Sequence, residues 1–522
     1  MGTKSELLLS LDLGTTAIKV GLFSTAGTLL SLALREQSLS FPQPNRVEQS
    51  LVQSWQLVVE ATREVLADVD AKKVAAVVLT NQRGSVVPIG GDGEPLTDLI
   101  VWMDQRGLSQ VDRLHALVGA EAYYRTSGHP IVPITGVSKV LWLQQEAPDT
   151  WRKTSTVGPP QTLFLKWLGC DESLVDYSSG SYLFPCDIRK RQWSREIAER
   201  LSFPLEKLPR LVPATEVVGR LGVKAAGELG LPQGTPIVAG GGDGQCAAAG
   251  TGVVLPGSVM VNIGTATGVQ VYLAEPTFDP ANTLNCAAHV VPGAWEMEGH
   301  TQASGTVFRW LRDEFGSPEL LEADHSGRDA YDLLVDKASQ APAGSEGLIF
   351  LPTFNGSTAP IVDPSARGAL IGLRLSHRRH HVIRAVLEGI SLEIRWMLDA
   401  ISRTGVPVEE IRLAGGGPRT RPGTRSMPTS STARCAPFRT RMQPWSGAPC
   451  APRWRWGSSP ISSRHPRLSS SWGRPSTPCP RTQRSTPGPT NDTSACSRCS
   501  ASSAPLPRSN RAQALRRPHG SR

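Results

Sequence analysis

Residues 7–13, LLLSLDL, form an apolar run that meets the polar turn GTT and is followed by a second apolar stretch at 19–23. An apolar run, a glycine turn and a second run predict strand–turn–strand. Helical spacing follows at 51–66. Next comes VAAVVLT at 74–80, continuous enough to be a strand buried on both faces. The strand–turn–strand pattern returns at 258–273 as SVMVNIGTATGVQVYL. Superposing the two hairpins sets Asp12 over Asn262, Gly14 over Gly264 and Thr15 over Thr265. Such a repeat predicts two similar α/β domains facing each other across a cleft. A long helix is predicted over 380–402, apolar at Val382, Ala385, Val386, Gly389 and Ile390. A short strand, EEIRLA, and the triplet Gly415, Gly416, Gly417 follow it.

At about 100–200 residues per domain, 522 residues allow two to four domains. No apolar run reaches the length of about 18 residues that a membrane span needs. LLLSLDLG is broken by Asp12 and lacks a small-residue cleavage site, so no secretory leader is expected. Nine Cys do not make a disulfide framework, and the cytoplasm is the expected compartment.

Charge divides the chain. The total is +9, but residues 418–522 hold 19 Arg, no Lys and one acid, Asp492, which is +18 and leaves −9 for residues 1–417. The acidic body argues against a nucleic-acid partner. The tail has 20 Ser and 17 Pro, and only five Ile, Leu or Phe, too few for a core. It is expected to be a disordered basic appendage. One reading is an arm for RNA or acidic surfaces; the preferred one is GC-rich DNA translated out of frame. A one-base shift across 441–457 permits D-A-A-L-V-G-x-A-L-x-A-A-V-A-L-G, an amphipathic helix. Cys496 and Cys499 lack a partner pair at zinc spacing and read as part of the same out-of-frame stretch.

LDLGTTAIKV reads as a phosphate site. Gly14 admits close backbone approach, Thr15 and Thr16 offer hydroxyls and amides to anionic oxygens, and Asp12 can hold a metal through water. A plain hairpin is the competing reading. The second hairpin, with Gly264 and Thr265, outweighs it, because two facing hairpins can grip one polyphosphate. In VAGGGDGQCAAAG a strand delivers Asp243 to a turn, where a carboxylate can accept a proton from a hydroxyl attacking phosphorus. The alternative for Asp243 is a helix N-cap. Gln82 and Arg83 follow the strand at 74–80 at its C-terminal end, where α/β clefts lie. IVWMDQR adds Trp102 and Asp104, a flat apolar face beside a hydroxyl acceptor; Lys139 and Trp142 read as helix packing.

Over residues 7 to about 417 the chain resembles the FGGY carbohydrate kinases of the actin/Hsp70/hexokinase-like superfold. The motifs that carry this are LDLGTTAIKVGLF, IVWMDQR, DYSSGSYLFPCDIRKRQW, GGGDGQCAAAG with NIGTATG, and ARGALIGLRLSHRRHHVIRAVLEG. The resemblance implies an α/β chain of two actin-like, ribonuclease H-like ATPase domains about a central cleft. Residues 1–244 would bind sugar, and 245–417 would form an incomplete ATP domain ahead of the tail, 418–522. The implied reaction is ATP-dependent phosphorylation of a sugar or polyol hydroxyl. Asp243 would be the general base, and Asp12 and Asp243 would hold Mg²⁺. Asp12, Gly14, Thr15, Thr16, Gly264 and Thr265 would serve the phosphates, with Gly415, Gly416 and Gly417 under adenine and ribose. Gln82, Arg83, Trp102, Asp104 and Gln245 would form the sugar pocket. The implied partner is a small sugar or polyol, with a homodimer left open.

Three departures leave the substrate open, and a fourth, the gravest, bears on the adenine side. Gln82 is followed by Arg83-Gly84, where xylulokinases carry Met-His-Gly and glycerol kinases Arg-Glu. Gln161-Thr162 replaces a common Asp-Tyr, and Ser357-Thr358 a frequent Glu-Arg. The fourth is the tail. A pentulose such as xylulose is favoured over glycerol or another polyol, and an impaired product of a frameshifted kinase gene is the alternative.

Overall fold

The computed structural model describes residues 6–415. Contacts divide the chain into Met1–Trp454 and Arg455–Arg522. The second unit, the readings of the tail, and Gly416 and Gly417 lie outside the described residues.

The first hairpin forms as its pattern predicts. β1 (Leu7–Leu13) buries alternate leucines and pairs antiparallel with β2 (Ala17–Ser24), which pairs with β3 (Leu29–Glu36). α1 (Leu51–Val65) is capped by Ser50, whose hydroxyl accepts from the Gln53 N–H, and it lays Leu51, Val58, Ala61 and Val65 in the core under β2 and β3. β4 (Val74–Asn81) then returns parallel to β1, as a helical crossover allows. A mostly helical insertion follows, with its own core of Leu114, Val140, Leu141, Phe184 and Leu201. It includes α2 (Tyr177–Leu183), capped by Asp176. β5 (Val217–Arg220) and β6 (Pro236–Gly242) complete the sheet in the order β5-β6-β4-β1-β2-β3. β6 lies parallel to β4 with a slip in register at Gly240. There φ is +72°, and a Cβ would stand 1.5 Å from the Leu79 carbonyl oxygen, so only glycine lets the strands close. β6 runs straight into α3 (Asp243–Gly250), whose first turn contains the 244/245 division.

The second lobe repeats the plan. β7 (Ser258–Ile263) and β8 (Thr267–Leu273) form the second hairpin, followed by β9 (Asn285–Ala288) and β10 (Trp295–His300). The predicted long helix is α4 (Arg379–Arg403), and β11 (Glu410–Gly415) comes back parallel to β7. The order is β9-β10-β8-β7-β11. Val259, Val261, Val269, Val271 and Met297 pack with Ile383, Val386, Ile394, Met397 and Ile401 of α4 in a second core. Among the described residues no helix is long and apolar enough to cross a membrane.

Candidate active site

β4 and β6 end together, Asn81 beside Gly242, so Gln82, Arg83 and Asp243 leave the sheet at one edge. Gly242, not Asp243, is the N-cap of α3, and the Asp243 carboxylate accepts from the adjacent Gly244 N–H at 2.8 Å; the helix-cap reading of Asp243 fails. The Asp243 side chain is exposed to solvent. The surrounding protein nevertheless strips enough water to raise its carboxyl above the ordinary value, with the Asp12 charge adding to the rise and Arg83 opposing it. An acid shifted upward at the mouth of a cleft is suited to proton transfer.

Asp12 stands at the end of β1. Its Oδ2 holds Lys19 Nζ at 2.9 Å, while Oδ1 is buried without a partner. A buried carboxylate oxygen with nothing to meet it calls for a ligand. Mg²⁺ takes one or two carboxylates and fills its remaining positions with water and phosphate oxygens, so Asp12, with Asp243 nearby, fits that ion. Thr16 is exposed in the first turn, and Gly264 and Thr265 are exposed in the second. The second turn is braced by the Ser304, Gly305 and Thr306 N–H groups, which donate to the Gly264 and Thr265 carbonyls. Gly415, at φ +89°, pairs with Ile263 beneath that turn.

Three expected ligand contacts are spent inside the protein. The Thr15 hydroxyl donates to Gln82 Oε1 at 2.9 Å and accepts from Trp102 Nε1 at 3.0 Å. Gln82 is 2% exposed; its Oε1 also accepts from Ser85, and its Nε2 donates to Gln49 Oε1 at 3.0 Å. Gln82 therefore braces the turn of the first hairpin and is spent inside the protein. Asp104 is 1% exposed and accepts from the Val47 N–H, the Arg106 N–H and the Arg106 guanidinium. It is half of a buried ion pair, not a pocket wall. Trp102 stays partly exposed, with its N–H turned to Thr15. Lys139 is fully buried, and its ammonium donates to the carbonyls of Pro133, Ile134 and Thr135; burial pulls it down to about 7. It is packing, as its place in the sequence suggests.

The sequence pattern did not reveal the polar cluster that meets Arg83. Arg83 Nη2 donates to Glu298 Oε1 at 2.6 Å, and its guanidinium lies over the Tyr182 ring at 4.0 Å. Its Nε and Nη1 are buried without partners. A Cβ on Gly242 would fall 2.5 Å from Arg83 Cδ, which shows how closely this side chain lies along the segment carrying Asp243. Gln245 is fully buried; its Nε2 donates to Glu296, and its Oε1 has no partner. Glu296 and Glu298 are both fully buried on β10. Burial and the Glu298 charge push Glu296 well above the carboxylate range. Burial acts on Glu298 too, but Arg83 and His300 outweigh it and hold Glu298 well below. The available signal was the alternation in WEMEGH: Glu296, Glu298 and His300 share one strand face while Met297 turns to the core.

Two lobes built on the same sheet plan, with an acid at the edge of one and an exposed glycine-threonine turn on each, are the arrangement of a phosphotransferase of the actin-like class. Residues 7–250 match the model of the FGGY family of carbohydrate kinases, N-terminal domain, and 259–426 match the C-terminal domain. The chain belongs to this family and is a sugar kinase. Gluconokinase of Bacillus subtilis (strain 168) is 29% identical over 414 residues, covering 79% of this chain and 80% of that one. Autoinducer-2 kinase of Salmonella choleraesuis (strain SC-B67) is 30% identical over 428 residues, 78% of each. The ligand-bound crystal structure of xylulose kinase from Lactobacillus acidophilus superposes with a TM-score of 0.73 at 25% identity, covering 80% of this chain and 82% of that one.

Proposed function

We propose that this kinase transfers the terminal phosphoryl group of ATP to a hydroxyl of an open-chain polyhydroxy sugar in the cytoplasm, with Asp243 as general base. The observation that carries the reading is Asp243 itself, an acid shifted upward at the cleft, flanked by Arg83 and facing the charge of Asp12. Asp243 takes the proton of the attacking hydroxyl as the new O–P bond forms and the bond to ADP breaks. Asp12 would hold Mg²⁺, and Thr16, Gly264, Thr265 and Gly415 would line the nucleotide side. Bound there, ATP supplies the phosphoryl group and Mg²⁺ offsets its charge. The protein's part is chiefly to position the reactants and exclude water.

A pentulose of the xylulose type is the first substrate reading, supported by the likeness to the xylulose kinase fold. A sugar acid is the second, favoured by two unpartnered N–H groups on Arg83, the edge a carboxylate would take, and by the gluconokinase relative. The test is ADP release across a panel of pentuloses, polyols and aldonates. One class should support turnover, and Asp243→Asn should lower kcat by about 10²–10⁴-fold. Equal activity in that variant would remove Asp243 from the chemistry. No ADP release with any member of the panel would count against turnover by this chain and favour the alternative of an impaired kinase.

A further inference from the structure

We propose that Glu298 is a positioning residue: from the second lobe it holds Arg83 of the first lobe against the segment that carries Asp243, so that the acceptor site is complete only when the two lobes are in register. The inference rests on the kinase reading above.

The geometry of Arg83 requires such a partner. Its side chain is 8% exposed, and that of Glu298 is fully buried. A buried ion pair recovers its desolvation cost only when further hydrogen bonds satisfy both groups. Glu298 has them: Gln270 Nε2 donates at 3.0 Å, His300 Nε2 lies at 2.9 Å, and the Tyr182 hydroxyl donates to the second oxygen at 2.8 Å. Tyr182 belongs to the first lobe and accepts from Asn285 Nδ2 of β9 at 2.7 Å. Arg83 is thus gripped at its edge by one lobe and on its face by a ring that both lobes hold. Gly242 and Gly244 give it room: Cβ atoms there would fall 2.5 Å from Arg83 Cδ and 3.5 Å from its Nη2. What remains is the Nε and Nη1 of Arg83, buried and without partners. Glu296, two residues earlier on the same strand face, does not share the task. It meets Gln245, and its Oε2 has no partner. Burial and the Glu298 charge push the Glu296 carboxyl up, while Arg83 and His300 hold the Glu298 carboxyl down.

Steady-state kinetics on the full chain tests this, with the sugar that supports turnover. Glu298→Gln is expected to lower kcat/KM for the sugar by about 50-fold or more, largely through KM, as loss of one partner of a buried charge pair does. KM for ATP should stay within about twofold, and Glu298→Asp should restore part of the loss. The double variant Arg83→Gln/Glu298→Gln should be no worse than Arg83→Gln alone. If Glu298→Gln does not fold, Tyr182→Phe, which removes one donor to Glu298 and keeps the ring, should raise KM for the sugar severalfold and leave KM for ATP alone. Parallel rises in both KM values, losses that multiply in the double variant, or a Glu298→Gln enzyme as active as the parent would overturn the proposal. If the parent transfers phosphate to no sugar, the kinase reading fails by itself. The clamp is then judged from thermal unfolding of the same single and double variants: non-additive losses support it, and additive losses end it.

Discussion

Trp102 and Thr15 join the segments proposed to meet the sugar and the phosphates. The indole N–H donates to the Thr15 hydroxyl, which donates to Gln82, and Ser85 accepts from the Trp102 N–H while donating to the same Gln82 oxygen. A ring chosen only for its flat face would not need its nitrogen. Trp102→Phe keeps the face and deletes the donor, leaving the Thr15 oxygen short of one bond. The expected result is a loss of about 1 kcal/mol in denaturant unfolding and a rise in KM for ATP of about fivefold. KM for ATP should rise more than KM for the sugar, because the hydroxyl left short of a donor sits on the hairpin proposed to hold the phosphates. A change confined to the sugar would show that Trp102 acts by its face alone.

Among the elements, α4 contains one position that conflicts with its own pattern. Ile383, Val386, Ile390, Ile394, Met397 and Ile401 form the apolar stripe, and Glu393 lies buried among them, 8% exposed, with Oε2 unpartnered. Burial raises its carboxyl from 4.5 to about 7. The folded protein therefore binds more protons than the unfolded chain between those two values, and stability falls as pH rises through that window. Above pH 7 the cost is complete, at about 3 kcal/mol. Glu393→Gln should be more stable than the parent by up to that amount at pH 8 and by almost nothing at pH 4.5, measured by urea unfolding. A difference that does not change with pH would show that Glu393 titrates alike in the folded and the unfolded chain. The stripe around it was legible beforehand because helical spacing survives one misfit residue. Both hairpins were legible because a glycine turn between apolar runs allows little else. The Glu296–Glu298 pair was not: two acids in a short strand look like a solvated edge until β8 and β9 close over them, which nothing local encodes. Gln82 and Asp104 misled for the opposite reason. A polar residue at a strand's end is equally able to meet a ligand or to brace the neighbouring loop, and only the fold decides which.

At the scale of the molecule the two lobes obey one plan, and the plan locates a difference. In the first lobe β4 lies parallel to β1, and β6 lies beyond it, carrying Asp243 to the cleft. In the second lobe β11 lies parallel to β7 in the place of β4, and among the described residues no strand lies beyond it. The sequence past that point changes from an acidic body to an arginine-rich segment with almost no aliphatic residues, whereas a one-base shift of the same stretch permits an apolar helix. A nucleotide held, as proposed, between the turns at Thr16 and Thr265 needs a wall on the second-lobe side, and a segment with only five Ile, Leu or Phe is poorly suited to build one. Calorimetric titration with ATP and Mg²⁺ should therefore separate two chains, this one and one with a single base restored between the codons for Leu413 and Gly457. The restored chain is expected to bind at micromolar Kd, and the present one at least about tenfold more weakly, a difference of about 1.4 kcal/mol. Resequencing those codons should find the base. Equal affinities would mean that the residues after Gly415 take no part in holding the nucleotide, and that Asp12, the two turns and Gly415 suffice.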